Sequence, residues 1–219
     1  MEKVTNNYIY LHGFASSPQS GKAKYIKARF SDLQIPLLIP DLNQNDFSHL
    51  TLTRQLKQVE TLFPPAPTPI ILIGSSFGGL TSTWLAENHF QIQRLVLLAP
   101  AFGFLSYWLD KLGEEKIQSW KNAEYLPVYH YGENQYLPLH YDFLVDAANY
   151  DESQLKRSIP TLILHGLYDD VIPIQSSRNY AADRPWVQLI ELDSDHSLNN
   201  VISEIWQAVK TFCQLPTTS

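Results

Sequence analysis

The most informative motif of this 219-residue chain is the pentapeptide GSSFG at residues 74–78, which places Ser76 midway between two glycines. The motif follows an apolar run and precedes a segment with apolar residues at helical spacing, so it predicts a sharp turn from a strand into a helix. Such a turn lifts the serine hydroxyl clear of the sheet, and its neighbours must be small to avoid nearby backbone. We interpret Ser76 as a nucleophile; the alternative is a glycine-rich turn whose serine is only structural.

A serine hydroxyl is a poor nucleophile at its ordinary pKa, so this interpretation requires a base and an acid that orients the base. In folds that present a serine on a strand-to-helix turn, the acid and then the histidine follow it along the chain. Of the seven histidines, only His196 follows an acid placed after the fifth apolar run. This order indicates that His196 is the base, whereas a lone histidine in a loop is usually only solvated.

The acid is expected in the loop after the fifth apolar run, which has the sequence HGLYDDVIP at residues 165–173. This loop holds two candidates, because Asp169 is nearer the end of the run and Asp170 is nearer the next helix. Asp170 would also suit a surface or helix-start carboxylate. Two more acids, Asp193 and Asp195, are close enough in sequence to reach the histidine, but they are typical of turn residues.

Acyl transfer to a serine also needs backbone donors aimed at the oxyanion that develops on the substrate. The turn places the N–H of Phe77 at the start of a helix, where the dipole favours negative charge. A second donor is expected from the N–H of Phe14, in the loop HGFASS at residues 12–17. His12 and His165 each precede a glycine at a strand end, and we interpret both as hydrogen-bonded scaffold residues.

Two lysines, Lys22 and Lys24, follow this loop closely. They would be able to receive an anionic group, such as a phosphate, near the oxyanion donors. A solvated helix face is the interpretation that we favour for both.

These candidate residues require a scaffold that brings the ends of several strands together. Short runs of aliphatic and β-branched residues predict strands at residues 8–11, 37–39, 70–73, 95–98, 162–164 and 187–192. Most of these runs are continuously apolar, as strands covered on both faces are. Segments with helical spacing lie between them, so the chain predicts an α/β fold with a parallel sheet. Open folds of this kind bind ligands at the carboxyl ends of the strands.

One region interrupts the alternation of strands and helices. Residues 101–158 contain twelve aromatic residues and no convincing strand. Because an unstructured loop of this length is implausible in a compact domain, we interpret the region as an inserted cap with its own helices, on a core of residues 1–100 and 159–219. Most of its aromatic residues are expected to build the cap itself. Four are candidates for substrate contact: Phe102, Phe104, Trp108 and Tyr141.

The composition excludes several classes of function. With a net charge of −6 and no cluster of Lys and Arg, the chain has no electrostatic footprint for nucleic acid or an anionic membrane surface. Its apolar runs are too short for a membrane span. A single cysteine and the lack of a signal-peptide pattern favour a cytoplasmic protein. No motif for a metal ion or an organic cofactor is present, so none is expected.

Taken together, these motifs resemble the α/β-hydrolase superfamily over essentially the whole chain. The matching segments are YLHGF at residues 10–14, GSSFGG at residues 74–79, HG followed by Asp169 and IP at residues 165–173, and DHS at residues 195–197. In that superfamily the acid stands three residues after the glycine of the His-Gly pair, which selects Asp169. Within it, LHGFASSP at residues 11–18 and the Ser20, Lys22 and Ala23 that follow resemble the small bacterial esterases of the YqiA type. The resemblance implies a three-layer α/β-hydrolase fold with a mostly parallel sheet of about six strands.

The residues and the resemblance together lead us to expect a serine hydrolase of small-molecule carboxylic esters. Ser76 would attack the acyl carbon, His196 would move the proton, Asp169 would orient the imidazole, and the amides of Phe14 and Phe77 would bind the oxyanion. Alternatives on the same scaffold are thioester or amide hydrolysis, a lyase-type proton transfer, or a binding protein without catalysis. The sequence does not indicate the oligomeric state.

Overall fold

A computed structural model describes residues 6–216 and contains a six-stranded sheet in which every pair of neighbours is parallel. The strands of the described residues are β1 (Asn7–Leu11), β2 (Leu37–Leu38), β3 (Ile70–Ser75), β4 (Ile92–Leu98), β5 (Tyr125–His130), β6 (Gln135–His140), β7 (Thr161–Gly166) and β8 (Val187–Leu192). The sheet has the order β2-β1-β3-β4-β7-β8. Each apolar run that predicts a strand corresponds to one of these six, so the predicted parallel α/β sheet is confirmed.

Helices cover both faces of the sheet, so the fold has three layers. They are α1 (Gly21–Asp32), α2 (Leu52–Glu60), α3 (Phe77–Asn88), α4 (Phe104–Leu112), α5 (Glu114–Ala123), α6 (Asp142–Ala147), α7 (Ile174–Ala182) and α8 (Ile202–Phe212). Side chains of β3 alternate between two apolar clusters: Ile71 and Ile73 pack with α1 and α8, whereas Ile70 and Leu72 pack with α2 and α3. This double burial explains why the strand is apolar at consecutive positions.

The region between β4 and β7 contains α4, α5, α6 and an antiparallel hairpin of β5 and β6. The expectation that residues 101–158 hold no strand is therefore wrong. Pro127 and Pro138 face each other in this hairpin and weaken any strand pattern in the sequence. They are tolerated because a sheet of only two strands has two edges, where a missing N–H leaves no partner unsatisfied.

None of the helices in residues 6–216 is both long enough and apolar enough to cross a membrane.

Candidate active site

Ser76 occupies the turn between the end of β3 and the start of α3. Its φ angle is +52°, in the left-handed region that residues with a side chain rarely adopt. Two backbone contacts hold this turn: the N–H of Ser76 donates to the carbonyl oxygen of Leu98 at 2.8 Å, and its own carbonyl oxygen accepts the N–H of Ala101 at 3.1 Å. A strained residue fixed by its surroundings is typical of functional sites.

The glycines that flank Ser76 are required because other chain segments approach them closely. A Cβ atom added to Gly78 would overlap the carbonyl oxygen of Leu11 and lie 2.5 Å from that of His12. A Cβ atom added to Gly74 would lie 2.5 Å from the hydroxyl oxygen of Ser82. The small residues of the motif therefore allow α3 to pack directly against the ends of β1 and β3, which positions the serine.

His196 lies in the loop after β8 and contacts both other members of the predicted triad. Its Nε2 atom is 3.1 Å from the hydroxyl oxygen of Ser76, and its Nδ1 atom is 2.6 Å from Oδ2 of Asp169. An ionised Asp169 accepts the Nδ1 hydrogen, which leaves Nε2 to accept the hydroxyl hydrogen of the serine. Asp195, the neighbour of His196, instead accepts hydrogen bonds from the backbone of Ser197, as a turn residue does.

The two candidate acids occupy different environments. The side chain of Asp169 is completely buried, and its Oδ1 atom accepts the N–H groups of Val171 at 2.9 Å and Ile172 at 2.8 Å. Asp170 is exposed, and it is Asp169 that reaches His196. Burial alone would raise the pKa of the Asp169 carboxyl, but hydrogen bonds from the two neighbouring imidazoles and the backbone outweigh it and hold that pKa well below its ordinary range.

The two histidines interpreted as scaffold residues make hydrogen bonds next to the site. His165 is fully buried, with Nδ1 2.7 Å from the hydroxyl of Ser177 and Nε2 3.0 Å from Oδ2 of Asp169. His12 accepts the N–H of Leu42 at Nε2, so its Nδ1 hydrogen is available to the carbonyl oxygen of Gly13 at 2.9 Å. The contact between His165 and Asp169 was not predicted, because the sequence spacing alone does not indicate which way a buried imidazole points.

The two predicted oxyanion donors lie beside the serine. Phe77 is the first residue of α3, so no carbonyl of an earlier helical turn accepts its N–H. The N–H of Phe14 has no acceptor within residues 6–216. The loop that carries Phe14 passes close over the serine, because a Cβ atom added to Gly13 would lie 3.3 Å from Cβ of Ser76. Both amides are therefore free to donate to a ligand.

An apolar cavity of about 100 Å³ opens at Ser76. The side chains that line it are Phe14, Phe77, Ala101, Phe104, Trp108, Phe143 and Ile172. Of the predicted contact residues, Phe104 and Trp108 are among them, but Phe102 instead stacks on Tyr180 at 4.1 Å between ring centroids. Tyr141 packs edge-on against Trp120, also away from this cavity. Phe143 was not among the predicted contact residues, because it is one of twelve aromatic residues in its region and no motif distinguishes it from the others.

A second, larger cavity of about 440 Å³ borders His196 and Gly13. Lys22 lies in its wall, whereas Lys24 is exposed on the same helix. The preferred interpretation of a solvated face therefore describes Lys24 but not Lys22. Among residues 6–216, no three His, Cys, Asp or Glu side chains are grouped so that they could hold a metal ion.

Comparison with solved structures places the fold among the α/β hydrolases. Est1E from Butyrivibrio proteoclasticus is similar with a TM-score of 0.77 and 20% identity, covering 98% of this chain and 88% of that chain. The same protein with ferulic acid bound has a TM-score of 0.80 at 20% identity, covering 98% of this chain and 90% of that chain. The alpha/beta hydrolase domain-containing protein 10 from mouse has a TM-score of 0.71 and 21% identity, covering 95% and 91%.

These similarities confirm the predicted resemblance to the α/β-hydrolase superfamily at the level of the fold. No curated protein sequence matches the chain. Residues 7–213 match an uncharacterised protein family, UPF0227, across the whole sheet and all the site loops described above. The chain therefore belongs to the UPF0227 family.

Proposed function

We propose that this protein is a serine hydrolase that cleaves carboxylic esters through an acyl-enzyme intermediate. The observation that carries the proposal is the pair of short contacts that joins Ser76 to His196 at 3.1 Å and His196 to Asp169 at 2.6 Å. These three residues lie on loops at the carboxyl ends of three strands of the sheet. In that arrangement an imidazole can take the proton of a serine while a carboxylate stabilises the resulting imidazolium.

In the first half of the reaction, Oγ of Ser76 forms a bond with the acyl carbon while its proton moves to Nε2 of His196. The carbonyl oxygen becomes an oxyanion and accepts hydrogen bonds from the amides of Phe14 and Phe77. His196 then donates the proton to the ester oxygen of the leaving group as the bond from that oxygen to the acyl carbon breaks. An alcohol departs, and the acyl group remains on the serine.

In the second half, a water molecule gives a proton to Nε2 of His196 and attacks the acyl carbon. The bond to Ser76 breaks, the serine oxygen takes the proton back, and a carboxylic acid is released. Asp169 remains ionised throughout, because its hydrogen bonds hold the pKa of its carboxyl far below neutral pH. The charge that develops on the imidazole is therefore stabilised in both halves.

The same proposal assigns residues 101–158 as a cap over the serine, on a core of residues 1–100 and 159–219. Rings from α4 and α6 form one wall of the apolar cavity at Ser76, which suits an acyl group. A carboxylic acid, ferulic acid, is bound in one of the similar structures, and it is the class of product that ester hydrolysis releases.

A fluorophosphonate probe tests the nucleophile directly, because it reacts with an activated serine at neutral pH. We expect one label on the wild-type protein, at Ser76, and no label on Ser76→Ala. The same variant should lose about 10⁴-fold or more of the turnover of 4-nitrophenyl acetate. Ser203→Ala, which removes an exposed hydroxyl on α8, is the matched control and should label and turn over as the wild type does.

Normal ester turnover by a folded Ser76→Ala variant would disprove the proposal. Faster turnover of acyl thioesters or anilides than of oxygen esters would show that the substrates are thioesters or amides, cleaved by the same mechanism. Labelling without turnover of any of these compounds would favour a lyase-type reaction, and a folded protein that takes no label would favour a binding protein.

A further inference from the structure

The cavity next to His196 contains polar groups that the reaction described above does not use. It encloses about 440 Å³. Its wall is formed mainly by the loop after β1, the first residues of α1 and the loops after β7 and β8, with Tyr131 from the turn between β5 and β6. Phe14 lines both this cavity and the apolar one. Ser76 lines the apolar cavity and His196 lines this one, and the two side chains are 3.1 Å apart, so the cavities lie on either side of the proposed point of attack.

Lys22 is an unpaired cation in this wall. Its side chain is half-buried, and its ammonium group has neither an ion-pair partner nor a hydrogen-bond acceptor in the described part of the chain. Burial lowers the pKa of this amine to about 8, while the carboxylates of Asp169 and Asp195 act in the opposite direction. The group is therefore mostly charged at neutral pH, in a position where it has lost part of its hydration.

Tyr10 adds a second unsatisfied group to the same cavity. Its side chain is completely buried, and within residues 6–216 its hydroxyl makes no hydrogen bond of ordinary geometry, although the hydroxyl of Ser75 lies nearby. Buried polar groups are nearly always hydrogen-bonded, because leaving one without a partner costs free energy. Because Tyr10 also borders the cavity, its hydroxyl is a candidate donor to an acceptor on a ligand bound there.

The N-terminus of α1 faces the same space. Gly21 and Lys22, its first two residues, line the cavity, and Ser20 caps the helix by accepting the N–H of Ala23 at 3.4 Å. The remaining N–H groups of the first turn have no acceptor within the helix, and the helix dipole favours a negative charge there. The ammonium and the helix start therefore both favour an anion, and the hydroxyl of Tyr10 adds a hydrogen-bond donor.

Two acidic residues restrict the charge of that anion. Asp170 and Asp195 also line the cavity, and both are exposed, whereas Tyr10 is fully buried. The cavity is thus positive in its interior and negative at its open edge. Because the repulsion from these carboxylates grows with the charge of the ligand, the cavity favours a compact anion with a single charge over a multiply charged one.

We propose that this cavity binds the leaving-group part of the substrate, and that this part carries a carboxylate held by Lys22, the hydroxyl of Tyr10 and the start of α1. The assignment rests on the proposed ester hydrolysis, in which His196 gives its proton to the leaving oxygen and so must face the leaving group. The acyl group then occupies the apolar cavity at Ser76, which at about 100 Å³ accommodates a short chain. The substrate class is a short-chain ester of a hydroxy acid.

A pair of chromogenic esters tests this assignment: 4-nitrophenyl acetate, which is neutral, and 3-carboxy-4-nitrophenyl acetate, which has the same skeleton and one carboxylate. We expect the wild type to have a kcat/KM about tenfold higher for the carboxylated ester, and Lys22→Met to lose about tenfold of that preference. Tyr10→Phe, which removes only the unsatisfied hydroxyl, should lose about threefold. Lys24→Met removes an exposed lysine from the same helix and should keep the wild-type preference.

Equal rates for the two esters in the wild type, or the same loss in Lys22→Met and Lys24→Met, would overturn the assignment. Calorimetric binding of 5-hydroxy-2-nitrobenzoate, the product of the carboxylated ester, separates this test from that of the reaction. The Ser76→Ala variant should bind this product, and the added Lys22→Met change should weaken binding about tenfold. If neither ester is hydrolysed but binding still depends on Lys22, the proposed reaction is wrong and the carboxylate site stands; absence of such binding removes the site.

Discussion

The two cavities that meet at Phe14 are built in opposite ways. The aromatic side chains around the apolar cavity pack against one another. The buried ring of Phe143 contacts four others: Phe14, Phe77, Phe104 and Trp108. In the polar cavity, Lys22 and Tyr10 have no partner among the described residues. The first wall is therefore part of the folded core, whereas the second contains groups whose pairing is left to a ligand. Under the proposed assignment, stability is concentrated on the acyl side of the scissile bond and charge recognition on the leaving-group side.

The largest effect is expected at the imidazole of His196, which lies between the two cavities and is contacted by Asp169. Asp169→Asn should lower kcat for a neutral ester by about 10⁴-fold, because an amide holds the imidazole of His196 in the wrong tautomer. Steady-state kinetics measures the loss, with thermal unfolding as a check of folding. Asp170→Asn is the matched control, since this exposed neighbour lies outside the contact with His196. Equal losses in the two variants would contradict the assignment of Asp169 as the acid.

Removing the central ring of the apolar wall tests whether that wall belongs to the core. Phe143→Ala should lower the free energy of unfolding by about 3–5 kcal/mol, because the buried ring leaves a cavity. Tyr136→Ala, in the exposed face of the hairpin, should change it by less than about 0.5 kcal/mol. Urea unfolding measures both values. A loss below about 1 kcal/mol in Phe143→Ala would show that the wall is adaptable rather than packed.

Binding of a charged leaving group in the polar cavity should depend on pH, whereas binding of an acyl group in the apolar cavity should not. Lys22 has a pKa of about 8, so it is charged below that pH and becomes neutral above it. The preference for the carboxylated ester should fall about tenfold between pH 7 and about pH 9.5. His196 acts on both esters alike, and hydrogen bonds lower the pKa values of the nearby Asp169 and Asp195 carboxyls, so both stay ionised in this range. The ratio of the two rates therefore reports on the charge of Lys22.

Measuring kcat/KM for both esters across this pH range checks the prediction. In Lys22→Met the ratio should be constant with pH. A wild-type ratio that also stays constant would show that the ammonium of Lys22 does not contact the leaving group.

The smallest effect is expected at a contact between the two ends of the region between β4 and β7. Oε1 of Glu152 accepts the N–H of Gly103, at the start of α4, at 2.8 Å, and burial raises the pKa of this carboxyl from 4.5 to about 7. Because the folded state binds the extra proton, stability falls as the pH rises from 4.5 to 7 and stays lower above that window. Glu152→Gln keeps the acceptor without the charge, so above pH 7 it should be about 1 kcal/mol more stable than the wild type.

Urea unfolding at pH 5 and pH 8 measures this difference, which should appear mainly at pH 8. Glu124→Gln, at an exposed position of the same region, is the control and should show no such difference. A variant that is less stable than the wild type at pH 8 would contradict the burial of a charged carboxylate at this contact.

The features that can be predicted from the sequence are those in which one short segment contains both the residue and the pattern that positions it. The turn at Ser76 is such a case, because its strand, its small residues and its helix are consecutive in the chain. The hairpin of β5 and β6 is the contrary case, since two prolines weaken its strand pattern and only the pairing of its strands reveals it. Among the aromatic residues of this region, Phe104 and Phe102 are two positions apart, yet only Phe104 lines the cavity at the serine.

The amino-acid sequence by itself determined the parallel α/β sheet, the turn that presents Ser76, and the order in which an acid and His196 follow it. Those features depend on local periodicity and on the types of residues at a few loop positions. Both can be read directly from the order of the amino acids. Only the tertiary structure brought Ser76 within 3.1 Å of a ring 120 residues away. It also placed Asp169, which the family resemblance selects over Asp170, against that ring. The tertiary structure also placed the side chain of Lys22 in the wall of a cavity and that of Lys24 in solvent. Which side of a helix becomes buried depends on the packing of distant segments, and no local pattern encodes that packing.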